Sequence, residues 1–188
     1  MSLHQVGNSK QKGFTIVELM VAVVIIGVAL VNIVELTTFS LRSSQVKKQT
    51  TQAADLTQEA MEIVRNFRDG TGWSDNDAGD QYDGLGVVTA GASYHPQQST
   101  GAAPRWQMVS GQETINEFTR AIVFRNVCRN SSTDNITGIT DTDGAATTCA
   151  GSGGVRDADT KHVTVTVSWT EKARAHEVEL VTYVTNWK

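Results

Sequence analysis

The chain has 188 residues, 39% hydrophobic, 19% charged and 6% aromatic, which is enough for one modest core and too little for two large domains. Sixteen Lys and Arg against twenty Asp and Glu leave a formal charge of −4 and a pI near 5.5. That balance argues against a protein built to neutralise phosphates over its surface, so no nucleic-acid partner is expected. Mean hydropathy is −0.23, but the apolar residues crowd into one early stretch while Thr, Ser, Asn, Asp and Gly dominate the rest.

Residues 1–13, MSLHQVGNSKQKG, form a polar leader with Lys10 and Lys12 beside the apolar edge and no acid. From Phe14 to Val34 follows a block of 21 residues whose single charge is Glu18, with Thr15 and Asn32 the other clearly polar members. As a helix it measures roughly 30 Å, the thickness of a bilayer's hydrocarbon layer. A secretory signal has a shorter apolar run, roughly 7 to 15 residues, and an Ala-x-Ala exit, so cleavage behind this block is not expected. Charge counting leaves orientation open, because Arg42, Lys47 and Lys48 lie beyond the span.

Lys10-Gln11-Lys12-Gly13 followed by Phe14-Thr15-Ile16-Val17-Glu18 resembles the class III signal of type IV prepilins and type II secretion pseudopilins. A basic leader ends in Gly, then come Phe, three residues and a Glu inside an otherwise apolar helix. The resemblance implies cutting after Gly13 by a prepilin peptidase on the cytoplasmic side, and methylation of the new amino terminus on Phe14. The mature chain would hold 175 residues, 188 less 13. It also implies that Glu18 pairs with the amino terminus of a neighbouring pilin or pseudopilin as helices leave the lipid for a helical filament, at an inner-membrane assembly platform. Independently of any family, a carboxylate inside a spanning helix costs about 2.5–3.5 kcal/mol on insertion scales and needs a partner or a job. In the first turn it also gains about 0.3–1 kcal/mol from the helix dipole, which could suffice at the interface.

Gly27 inside the apolar helix is compatible with close helix approach. The family often carries a Pro about 22 residues into the mature chain; here that place holds Glu35, and Pro96 and Pro104 are the only prolines. Whether the helix partly melts on assembly therefore stays open, and Glu35 is read as the exit from lipid.

Residues 35–68 contain no Gly or Pro, and Leu36, Phe39, Val46, Ala53, Leu56, Ala60, Ile63 and Phe67 recur at helical spacing. This predicts an amphipathic helix whose stripe needs a cover, stopped at Gly70 behind Arg68. The expected division is a leader at 1–13, a membrane and filament-core helix at 14–35, an amphipathic helix at 36–68 and a β-sheet head at 69–188.

Residues 69–104, with seven Gly and five Asp, read as turns and loops. The acidic run at 74–80 and the Asp141-Thr142-Asp143-Gly144 segment lack EF-hand order, so no metal or other cofactor is expected. Four strands are predicted: Arg105–Val109, Glu117–Val127, Lys161–Thr170 and Val178–Trp187, the last two joined by a turn at Glu171–Arg174. Packed on the Leu56–Phe67 stripe they would make an α+β fold, a long amino-terminal helix on a roughly four-stranded antiparallel sheet.

Cys128 and Cys149 are the only cysteines, 21 apart and outside any zinc pattern, and an even count beyond the cytoplasm predicts a disulfide. The four histidines are dispersed, no HExxH, GxSxG or P-loop pattern occurs, and Gly151-Ser152-Gly153-Gly154 has no helix to present phosphate-binding amides. The chain is thus expected not to be an enzyme. The reading is a pilin-like structural subunit, more minor than major, with a secretion pseudopilin as the nearest alternative. An adhesin or binding module anchored by its helix, with loops 69–104 and 129–160 doing the recognising, is the alternative of another class. The expected place is the inner membrane, amino terminus cytoplasmic and head outside, then a periplasmic or extracellular filament.

Overall fold

The computed structural model describes residues 13, 15–79, 81–100, 102–141, 149 and 153–187. They fall into two compact units, Met1–Lys48 and Gln49–Lys188. Among the described residues the elements are one α-helix, α1 (Ile16–Gly70), and seven strands: β1 (Ser93–Gln98), β2 (Trp106–Ser110), β3 (Glu113–Ile115), β4 (Phe118–Arg129), β5 (Ile136–Thr140), β6 (Val155–Glu171) and β7 (Arg174–Thr185).

Thr15 starts α1: its carbonyl accepts the Leu19 N–H at 3.2 Å and its hydroxyl accepts the Glu18 N–H at 3.3 Å. A Thr at the cap with a Glu three places on is the capping-box order, and it satisfies one of the first backbone donors that a helix otherwise leaves unpaired. The Thr37 and Thr38 hydroxyls donate to the Ile33 and Val34 carbonyls at 2.8 and 2.9 Å. Polar side chains near the apolar stretch are thereby satisfied within the helix. At the far end the Thr71 N–H donates to the Phe67 carbonyl at 2.9 Å, and Arg105 Nη2 reaches the Gly70 carbonyl at 3.3 Å. A cation on the last carbonyls suits the negative helix end.

In the second unit, Ala53, Thr57, Ala60, Met61, Ile63, Val64 and Phe67 form the buried face of α1. The predicted stripe is correct at Ala53, Ala60, Ile63 and Phe67, and Leu56 is partly buried. Leu36 and Phe39, read as part of the same stripe, are 74% and 73% exposed and belong instead to the exposed surface of the first unit. Met61, Val64 and Phe67 meet Tyr94, Met108, Ile122, Phe124, Val163 and Val165 in the main core. Ala53 packs with Phe118, Val167 and Trp169 in a smaller one. Each large side chain buried there contributes about 1.5–3 kcal/mol.

The seven strands form one sheet in the order β2-β1-β4-β6-β7, and every pairing is antiparallel. Strand β4 organises it. One side of β4 pairs with β6 over nearly its whole length, while β3, β1 and β5 divide the other side at 118–120, 122–123 and 126–129. The four predicted strands correspond to β2, β4, β6 and β7, so the count rises to seven. Strands β3 and β5 are short segments that pair with β4, and β1 bridges β4 and β2. β1 pairs with β4 at Ser93 and Tyr94 alone, which leaves Pro96, a residue with no N–H to donate, on a stretch with β2 as its neighbour.

The β6–β7 hairpin turns through Lys172 and Ala173, both left-handed at φ 47° and 65°, between the paired residues Glu171 and Arg174. Two residues at positive φ match the right-handed twist of the strands but strain any side chain, and Asn-Gly is the pair that tolerates them. Lys172→Asn combined with Ala173→Gly should raise stability by about 1 kcal/mol once the extra freedom of the unfolded glycine is subtracted. Urea denaturation of the detergent-solubilised protein, followed by tryptophan fluorescence, would show this as a higher midpoint at unchanged slope. A lower midpoint would contradict the strain argument.

Candidate functional site

Every residue from Thr15 to Arg42 is exposed, Ile16 by 79% and Val34 by 64%. An apolar surface of that extent does not persist in water and needs lipid or other apolar helices around it. This part of α1 is long and apolar enough to cross a membrane. Glu18 is the acid of its first turn, one turn in from the exposed Gly13. A Cβ added at Gly13 or at Gly27 would meet nothing within 4 Å. Neither glycine is demanded by packing inside the chain, so a requirement for either one must come from something that docks against it. Phe14 lies outside the described residues.

The sequence reading of this segment missed Thr15. Its signal was present as Thr-x-x-Glu ahead of an apolar run, the sequence form of a capping box.

In the head, Cys128 and Cys149 form a disulfide with a Cα–Cα distance of 5.7 Å, as the sequence predicts. In the chain-entropy account a loop of this size contributes about 3 kcal/mol. Next to it in sequence, Arg129 Nε donates to Asp157 at 2.5 Å, joining the ends of β4 and β6. Burial pushes the Asp157 carboxyl up, but hydrogen bonds from Thr160, Arg129 and the Asp159 N–H, together with the Arg129 charge, hold it below the ordinary value of 3.8. A depressed folded value means the stabilisation is present above pH 3.8 and is lost as pH falls through the folded value. The stability gap between wild type and Asp157→Asn should therefore be constant above about pH 5 and close as the carboxylate protonates below it. Denaturant midpoints measured at several pH values check this, and a gap unchanged at the acid end would refute it.

Arg120 is 4% exposed and holds α1 to the sheet: Nη2 lies 2.7 Å from Glu113, Nη1 reaches the Leu56 carbonyl at 3.2 Å and Glu59 at 3.5 Å. A buried guanidinium is tolerated here because carboxylates and a carbonyl surround it.

The acidic tract is an organised turn. Asp75 accepts from the Gly72 N–H, Asp77 from Gly79 and Tyr82, and Asp83 from Asp77, at 2.8–3.1 Å. Gly84 is forced by close approach, since a Cβ there would lie 2.0 Å from the Gly72 carbonyl oxygen. Leu85 and Val88 from this tract join the main core, although the sequence reads it as loop. Among the described residues no group of three His, Cys, Asp or Glu could hold a metal ion. Asp80 and the Thr142-Asp143-Gly144 segment lie outside them, as do His4, Gly151 and Ser152; Asp141 pairs with Arg125 at 2.5 Å. His95, His162 and His176 belong to three different strands: His162 packs edge-on to Tyr183, and His176 stacks on Trp169.

A family model described as the prokaryotic N-terminal methylation motif matches residues 8–31. Neither the curated proteins nor the solved structures give a significant match to the chain. The motif with its long apolar helix makes the chain similar to type IV pilin-like proteins, a structural class that includes the pseudopilins. A class III signal of this kind implies processing by a prepilin peptidase, assembly with other pilins and anchoring in a membrane.

Proposed function

We propose that the chain is a structural subunit, cut between Gly13 and Phe14, methylated on Phe14 and assembled through its amino-terminal helix into a type IV pilus or related filament as a minor pilin. The observation that carries this reading is the coincidence of the methylation motif at 8–31 with a helix whose apolar residues are all exposed over that span. Before assembly the helix lies in the inner membrane with its amino terminus cytoplasmic. A head that contains a disulfide belongs in an oxidising space, which favours that orientation. Glu18 draws an incoming subunit into register by meeting the methylated ammonium of its neighbour, and methylation keeps the positive charge. Assembly of this kind is one heterologous contact repeated without closure. The motif points to a structural family, and in this reading the head serves as a packed scaffold.

The test is the amino-terminal mass of the protein in a sheared surface fraction. A chain beginning at methylated Phe14 is expected. Material that begins at Met1 and never leaves the membrane fraction would overturn the proposal.

A further inference from the structure

On the core face of the sheet, Asn126 of β4 and Lys161 of β6 stand directly opposite each other, 0% and 1% exposed, with Lys161 Nζ 2.7 Å from Asn126 Oδ1. The pairing register breaks just past them, Asn126 facing Lys161 but Val127 facing Asp157. The extra β6 residues, Ala158, Asp159 and Thr160, bulge at the point where the lysine turns inward. We propose that this pair is a self-modification site at which the Lys161 amine and the Asn126 carboxamide condense into an amide cross-link between β4 and β6.

Three physical features favour the reaction. Nζ is held at hydrogen-bond contact with Oδ1, so a swing out of the carboxamide plane, with no diffusion, brings it onto Cγ, and groups held in an attack geometry gain effective molarities of up to about 10⁵–10⁸ M. Both partners are fixed by paired strands, so little motion is lost on reaching the reactive geometry. Burial of both groups keeps out the water that would otherwise compete for Cγ. The step balances without any co-reactant. Nζ, as the free amine, bonds to Cγ; one of its two protons passes to Nδ2; the Cγ–Nδ2 bond breaks and ammonia leaves. Nothing is oxidised or reduced, so the link would survive reductants that open Cys128–Cys149.

The consequence is a second covalent brace on β4, two residues before the disulfide. It joins neighbouring strands and closes the chain between them into a loop that also contains Cys128–Cys149. This inference does not rest on filament assembly and holds equally for a subunit that stays in the membrane.

The test is mass spectrometry of the full-length protein purified from membranes, denatured and reduced. The intact mass should fall short of the sequence mass by one ammonia beyond any processing, and digestion should release a branched peptide joining the segments that contain Asn126 and Lys161. Asn126→Asp should lose water in place of ammonia and give the same branched product, and Lys161→Arg should show neither loss. Recovery of Lys161 in an unmodified linear peptide from the folded wild type overturns the proposal. So does an ammonia loss confined to one linear Asn peptide, which is cyclisation of that Asn alone. Because the wild-type peptide map decides by itself, a variant that fails to fold does not rescue the idea.

Discussion

Glu18→Ala should accumulate in the inner membrane at wild-type levels and be nearly missing from sheared filaments, a loss of at least tenfold in incorporation. Removing a carboxylate from an apolar helix does not hinder insertion, the gain being bounded by the cost of about 2.5–3.5 kcal/mol for a charge at the bilayer centre, so the defect cannot be blamed on targeting. The helix start also survives, because Thr15 caps the Glu18 backbone N–H and not its side chain. What disappears is the charge that would meet a neighbour's ammonium, and a tenfold loss corresponds to about 1.4 kcal/mol. Immunoblots of membrane and sheared fractions decide the matter: equal incorporation of variant and wild type would rule out charge pairing. Glu18→Asp, one methylene shorter, should recover part of the loss.

Phe124→Ala should cost about 3–5 kcal/mol, the range for emptying an aromatic site in a packed core. Phe124 is 0% exposed, and its ring meets that of Tyr94 edge-on at 5.6 Å. Its backbone carbonyl accepts the Gly91 N–H at 2.8 Å, tying the loop before β1 to the central strand. The cavity would thus open in the core that β4, β1 and the last turns of α1 share. Urea denaturation of the solubilised protein followed by tryptophan fluorescence measures the loss. A cost below about 1 kcal/mol would mean that the site collapses or that the core lies elsewhere.

Legibility in the sequence followed how local each signal was. The apolar block and the Lys12-Gly13-Phe14 junction are contiguous chemistry, and the family match covers the junction and the block as far as Val31. Strands β6 and β7 were readable because Val163, Val165, Val167 and Trp169 alternate with Thr and Ser, and the turn at Lys172–Ala173 fell where predicted. By contrast β1, with Pro96, Gln97 and Gln98, and β3, with three residues, carry almost no intrinsic strand signal. β3 exists because the edge of β4 offers it hydrogen bonds, and β1 because β2 pairs along most of it and β4 holds its first two residues, pairings that no local pattern announces. Leu85 and Val88 were hidden for the same reason: Gly and Asp around them announce a turn, yet the turn is folded back into the core. The helical stripe failed at Leu36 and Phe39 because spacing alone cannot distinguish a side chain that faces a sheet from one that faces lipid or another subunit.

Strand β7 ends the sheet with twelve residues that have β6 on one flank and no described strand on the other. Such a rim invites the same rim of another molecule to zip against it, a hazard for proteins concentrated side by side. Glu177 and Glu179 stand exposed along it, and two like-charged borders brought together would set four carboxylates in close array. These carboxylates, offset in part by the exposed Arg174 on the same border, work against rim-to-rim zipping.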